Sequence, residues 1–187
     1  MAIVALFDAN VLYPGSLRDL VVRLGQTGLF RARWTDQILD EAFGAIVRTQ
    51  PELAGRLDRT RALMNEAIDD VVVRGYESLI AGLVLPDPDD RHVLAAAICA
   101  GAQVIVTNNV KDFPSDLLAA FGIEAQTPDE FVLHLIDLAP GRVITVIDHQ
   151  AAALKNPPMS VEDLLARLRT VGLPRSVALI RQQLRSG

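Results

Sequence analysis

The sequence predicts an α/β fold, a parallel β-sheet flanked by helices, followed by a C-terminal helical appendage. Three observations predict it. The runs Ile3–Phe7 and Val104–Val106 are apolar without in-out alternation. Such runs read as strands buried on both faces, hence parallel. Helical patterns fill the intervals between strands, and that alternation builds a sheet with helices on its faces. After residue 140 the pattern changes to helices alone. The expected organisation is one unit over residues 1–139 and a helical extension over 140–187.

The elements follow in order. The first strand covers 3–7 and ends in the polar turn Asp8-Ala9-Asn10. Ser16 to Asp19 resembles a capping box, opening an amphipathic helix over 17–29 that ends at Gly28. Thr35 caps a second helix reaching Thr49, closed by Pro51, and a third helical stretch covers 52–68. Val71-Val72-Val73 is a short strand, and 76–81 a helical turn. Asp87 caps a helix over 88–100 with Pro88 at its first position, and Gly101 ends it. The second clear strand is 104–107, then a short helix spans 115–121 and a last strand 123–125. Thr127-Pro128-Asp129-Glu130 is a helix start with cap, proline and acid in place. The appended helices cover 141–155, 160–171 and 174–185.

Composition narrows the function. With 187 residues and half of them hydrophobic, a core forms without staples. The one cysteine, Cys99, excludes an internal disulfide, and its apolar surroundings predict a buried core position. His92, His134 and His149 are scattered, which disfavours a zinc site. No apolar stretch reaches the length of a membrane span. The N-terminus has no basic leader and carries an acid at position 8, so a cytoplasmic protein is expected. A net charge of −5 argues against a uniformly positive surface. It leaves nucleic-acid chemistry open, because carboxylates gathered to hold metal themselves lower the net charge. No glycine-rich turn follows the first strand and there is no P-loop, which excludes nucleotide-cofactor binding of those kinds.

The acids carry the signal. Ligands of open parallel sheets bind beyond the carboxyl ends of the strands. Asp8 and the 107–112 turn stand at such ends. Asp8 directly follows a buried strand, where an ionised group needs a partner or a metal; it also suits capping of the next turn. In the second helix, Ile38, Ala42, Ala45 and Ile46 form the apolar stripe at about 100° per residue. Glu41 lies at its margin and Asp40 points nearly opposite. Asp90 shares a face with Val93, Leu94 and Ala97, so it turns inward, whereas Asp89 turns away. Asp112 sits past the second buried strand, near Asn109, whose oxygen suits a metal-bound water, and Thr107, which suits an acid. Acids converging without histidine or thiolate fit Mg²⁺ or Mn²⁺.

Four segments, in order, resemble PIN domains: Phe7-Asp8-Ala9-Asn10-Val11-Leu12; Thr35-Asp36-Gln37-Ile38-Leu39-Asp40-Glu41; Asp87-Pro88-Asp89-Asp90-Arg91-His92-Val93-Leu94; and Val106-Thr107-Asn108-Asn109-Val110-Lys111-Asp112-Phe113-Pro114. The resemblance runs from residue 3 to about 135 and is nearest to the VapC-like toxins of bacterial toxin–antitoxin pairs. It implies a PIN-like, Rossmann-like three-layer sheet, Mg²⁺ or Mn²⁺ held by acids, and endonucleolytic cleavage of RNA. It implies Asp8 and Asp90 as direct metal ligands, Glu41 and Asp112 completing the acidic site, and Asn10 and Thr107 as supporting positions. It also implies a homodimer and a protein antitoxin that blocks the cleft. One departure is Asn109, where many relatives carry an aspartate two residues after the threonine; Asp112 is the expected fourth acid. The arginine-rich extension suits contact with RNA, antitoxin or a second subunit as well as a plain packing role.

Two other functions compete. A haloacid-dehalogenase-type phosphatase also starts with a buried strand ending in a nucleophilic aspartate. It wants a second aspartate two residues on, and here that residue is Asn10. A catalytically inactive PIN scaffold that binds a protein partner would need none of the four acids.

Overall fold

β1 (Val4–Phe7) lies inside a four-stranded, all-parallel sheet ordered β2-β1-β3-β4, with β2 Arg31–Arg33, β3 Val104–Val106 and β4 Glu124–Gln126. The computed structural model describes residues 2–186; positions 1 and 187, the outer ends of the two expected units, lie outside them. Both β1 and β3 are buried on both faces, as their unbroken apolar runs require. From β1 the chain passes through α1 (Ala9–Leu12) and α2 (Gly15–Gln26) to β2 on one side. It returns through α3 (Asp36–Thr49), α4 (Ala54–Ala67), α5 (Glu77–Ile80) and α6 (Arg91–Cys99) to β3 on the other side. The connections after β1 and β3 therefore diverge, and a crevice opens beyond their carboxyl ends.

Local chemistry sets several boundaries. The Thr35 side chain accepts from the Ile38 amide at 3.0 Å and starts α3. Thr127 and Glu130 form a full capping box at the start of α8 (Pro128–Leu138), which follows the short α7 (Ser115–Ala119). Gly101 ends α6 at φ +61°, a left-handed conformation that glycine adopts without strain.

Other boundaries differ from the sequence-based expectation. Asp8-Ala9-Asn10 opens one turn of helix, with Asp8 as its cap, because the Asp8 carboxylate accepts from the Ala9 amide at 2.7 Å. Ser16 does not cap α2: the helix begins one residue earlier, after Pro14, and Asp19 instead pairs with Arg23 one turn on. Residues 71–73 form a single bridge, Trp34 to Val72, and not a strand. The 52–68 stretch begins as a tight turn at Pro51–Leu53, and the 88–100 helix as one at Pro88–Asp90. Cys99 is exposed, not buried. The side chains of His92–Ala97 face the interior, but α6 emerges before Cys99, whose thiol meets only the Arg74 carbonyl at 3.4 Å.

Aromatic packing ties the sheet to its helices. Phe7, Phe30 and Phe131 meet with centroids 4.9–5.7 Å apart, two of the three pairs edge-to-face. The last helices, α9 (Pro140–Ala153), α10 (Val161–Thr170) and α11 (Pro174–Ser186), share this core. Leu164, Leu165, Leu168 and Val177 are fully buried in it, and Gln150 donates to the Ser16 carbonyl at 2.9 Å. Among the described residues no helix is long and apolar enough to cross a membrane.

Asp129 anchors α11. Its buried carboxylate accepts the amides of Arg175 (3.0 Å) and Ser176 (2.8 Å) and the Ser176 hydroxyl (2.7 Å). It thus caps a helix from a different helix. Asp129→Ala strands those donors, and we expect a loss of about 3 kcal/mol in urea unfolding. Hydrogen exchange should accelerate first in α11.

Candidate active site

The crevice is built around Asp8. β1 places this residue at the sheet's end, where its amide donates to the Val106 carbonyl at 3.0 Å, and its side chain is buried. A carboxylate there needs donors, and three are supplied. Thr107, fully buried at the end of β3, donates its hydroxyl to Oδ2 at 2.7 Å. Asn10 donates its Nδ2 to the same oxygen at 2.7 Å, and the Ala9 amide donates to Oδ1 at 2.7 Å. Burial raises the Asp8 carboxyl above its ordinary range; the bonds from Thr107 and Ala9 oppose this, the Glu41 charge adds to it and His92 counters it.

The supporting residues join the two strand ends. Asn10 Nδ2 also lies 3.1 Å from Thr107 Oγ1, and Asn10 Oδ1 accepts from the Asn108 amide at 2.9 Å. Thr107 Oγ1 accepts from the Asn109 amide at 3.0 Å. Asn109 thus enters the network through its backbone, while its side chain is exposed. Asn108 has the larger part in the network, with a second bond from Nδ2 to the Asn10 carbonyl at 3.4 Å. Both asparagines are exposed, and nothing local in the sequence marks which of the pair bonds to Asn10.

The other acids surround Asp8. Asp90 is half-buried where the Pro88–Asp90 turn enters α6, and Asp89 beside it is exposed. Burial pushes the Asp90 carboxyl up to about 6, and the charges of Asp8, Asp87 and Asp112 add to the shift while His92 opposes it. Asp112, half-buried in the Val110–Asp112 turn, lies in the same field. Glu41 reaches in from α3, whereas Asp40 points to solvent and pairs with Arg61.

His92 is the residue that sequence reasoning did not place here. It is buried on α6, and its Nε2 stands 3.0 Å from Glu41 Oε1 while its Nδ1 has no hydrogen-bond partner. Its sequence signal was a single polar residue opening an apolar helix; that it would meet Glu41 depends on where the sheet places α6 relative to α3. Gln37 donates to the same Glu41 oxygen at 3.2 Å. Together they hold one oxygen of Glu41.

The arrangement is a concentration of negative charge with all-oxygen donors, the chemistry that suits Mg²⁺ or Mn²⁺. Burial first, and then the charges of Asp8, Asp87 and Asp112, raise the Asp90 carboxyl, and a divalent cation would favour its ionised form. Among the described residues, no three Asp, Glu, His or Cys side chains stand close enough to hold an ion in the positions seen.

Two family models match the chain: one described as PIN domain over residues 4–111, and one described as VapC50 C-terminal domain over residues 128–182. A Mycobacterium tuberculosis protein named "Putative ribonuclease VapC50" is 40% identical over 113 residues, covering 60% of this chain and 66% of that protein. The match thus spans slightly less than two thirds of the relative. No solved structure matches the chain.

The Asp90 shift has a stability consequence. A raised carboxyl contributes stability below its unfolded value near 3.8, and that contribution is lost as pH rises through about 6. In chelator at pH 7, Asp90→Asn should therefore raise the melting temperature. The gain should vanish at pH 4, as followed by circular dichroism.

Proposed function

The chain belongs to the PIN-domain family, and from that premise we propose that it is a metal-dependent endoribonuclease, the toxin of a toxin–antitoxin pair. One observation carries the reading: Asp8, at the end of a buried strand and raised by that burial, is held by Thr107 across the sheet and shares its electrostatic field with Glu41 and Asp90. The resemblance to a protein named as a ribonuclease supports the choice of RNA as substrate.

In this reading Asp8, Asp90, Glu41 and Asp112 hold Mg²⁺ or Mn²⁺. The ion, when bound, supplies a water made acidic and a counter-charge for the phosphodiester under attack. The chain's own groups prepare the site. Thr107 and the Ala9 amide favour the ionised form of Asp8 and fix its direction. Asn10 bridges Asp8 and Thr107, so the ends of β1 and β3 keep their separation. His92 and Gln37 hold one oxygen of Glu41 and leave the other free of those two partners. Asn109 offers its exposed amide to water or phosphate.

The remaining parts of the proposal follow from the family. They are a cytoplasmic homodimer, a cognate protein antitoxin over the cleft, and a division into a nuclease unit, 1–139, and a helical extension, 140–187. A phosphatase of the haloacid-dehalogenase type falls with the family assignment.

Purified protein should cut end-labelled RNA in Mg²⁺ or Mn²⁺, and stop in chelator or with Asp8→Asn. Cleavage that survives Asp8→Asn would overturn the site. Absence of metal-dependent cleavage in antitoxin-free protein would favour a scaffold that only binds a partner. Calorimetry gives a second readout, in which wild type binds Mn²⁺ and the Asp8→Asn/Asp90→Asn protein does not.

A further inference from the structure

The acidic centre poses a problem for a polyanionic substrate, and the C-terminal helices stand where it can be solved. The turn between α10 and α11 abuts the active-site loop: a Cβ on Gly172 would lie 3.8 Å from Asn108 Oδ1. Asn108 is bonded to Asn10, and Asn10 to Asp8, so two hydrogen-bonded steps separate the loop residue that the turn touches from the central carboxylate. The turn is also fixed in place. Gly172 has φ +110°, its amide donates to the Arg169 carbonyl at 3.3 Å, and the next helix is anchored by Asp129.

Two arginines flank this turn, Arg169 before it and Arg175 after it, and both are exposed. Among the described residues neither forms an ion pair; Arg181 on the same helix does, with Glu162. Arg169 lies in the last turn of α10, where a cation also complements the helix dipole. Arg175 has no such account. It stands in the first turn of α11, the positive end of a helix, where a cation is disfavoured. The Asp129 carboxylate bonded to its amide offsets that end's positive charge, and the guanidinium also lies in the field of Glu130.

We propose that the α10–α11 turn is a phosphate-binding wall of the active site, with Arg169 and Arg175 gripping the backbone of single-stranded RNA beside the cleavage centre. This rests on the ribonuclease reading above. Guanidinium groups bind phosphate oxygens in pairs of hydrogen bonds and keep their charge at every physiological pH. Contacts of this kind give affinity and position without reading sequence. With a net charge of −5, attraction of RNA depends on local cationic patches and not on the chain's overall charge.

The test is binding of a fluorescein-labelled single-stranded RNA, followed by anisotropy in chelator so that the RNA stays intact, across a salt series. Arg169→Ala/Arg175→Ala should weaken binding about tenfold at low salt and flatten the log–log salt slope by about 1.4, the loss of two contacts to single-stranded phosphates. Arg169→Lys/Arg175→Lys should restore most of the slope. Both positions are exposed, so melting temperatures should match wild type and exclude a folding defect. An alanine variant with wild-type affinity and slope overturns the wall, whether or not the protein cleaves RNA. A wild type that neither binds nor cleaves RNA overturns the ribonuclease reading and this inference with it. Wild-type binding by the variant with intact, chelator-sensitive cleavage overturns this inference alone.

Discussion

A carboxylate at the end of a buried strand can stay ionised only if donors surround it, and at Asp8 those donors come from both sides of the crevice. The Ala9 amide belongs to the turn that follows β1, and the Thr107 hydroxyl ends the neighbouring β3. Meeting this one electrostatic requirement fixes the register of the two central strands at their carboxyl ends. It also closes the turn that starts α1 and draws in Asn10, and through it Asn108. Removal of Thr107's hydroxyl would leave Asp8 with less compensation in a place that water reaches poorly.

The surrounding charges make sense from this centre outward. Asp8 raises the Asp90 carboxyl, to which Asp87 and Asp112 add, and His92 is the one nearby group that opposes the trend for both Asp8 and Asp90. In the proposed function a divalent cation relieves this crowding, in which each acid disfavours the ionised form of the next. Two raised acids side by side fit the clustering of shifted groups at functional centres.

The C-terminal helices are held to the sheet by a second buried carboxylate. Asp129 takes the orphan amides at the start of α11, and the leucines of α10 complete the hydrophobic core. That anchoring sets Gly172 against Asn108. A helical segment that looks like an addition in sequence packs, in space, against the loop that carries Asn108.

Much of this was legible in the residues. Unbroken apolar runs announced β1 and β3, and the Thr35 and Thr127 caps announced α3 and α8, because these signals act over one turn or one strand. Helical periodicity separated Glu41 from Asp40 and Asp90 from Asp89, since it decides which side of a helix faces a core. It did not show that Ser16 would lose its cap, that Cys99 would emerge to solvent, or that residues 71–73 would make only a bridge. Those outcomes depend on where α2, α6 and the sheet edge meet their neighbours. Likewise His92 and Asn108 have no local mark of function. What brought them to Glu41 and Asn10 was the placement of α6 by the sheet and the divergence of the chain after β1 and β3, long-range contacts that local pattern does not encode.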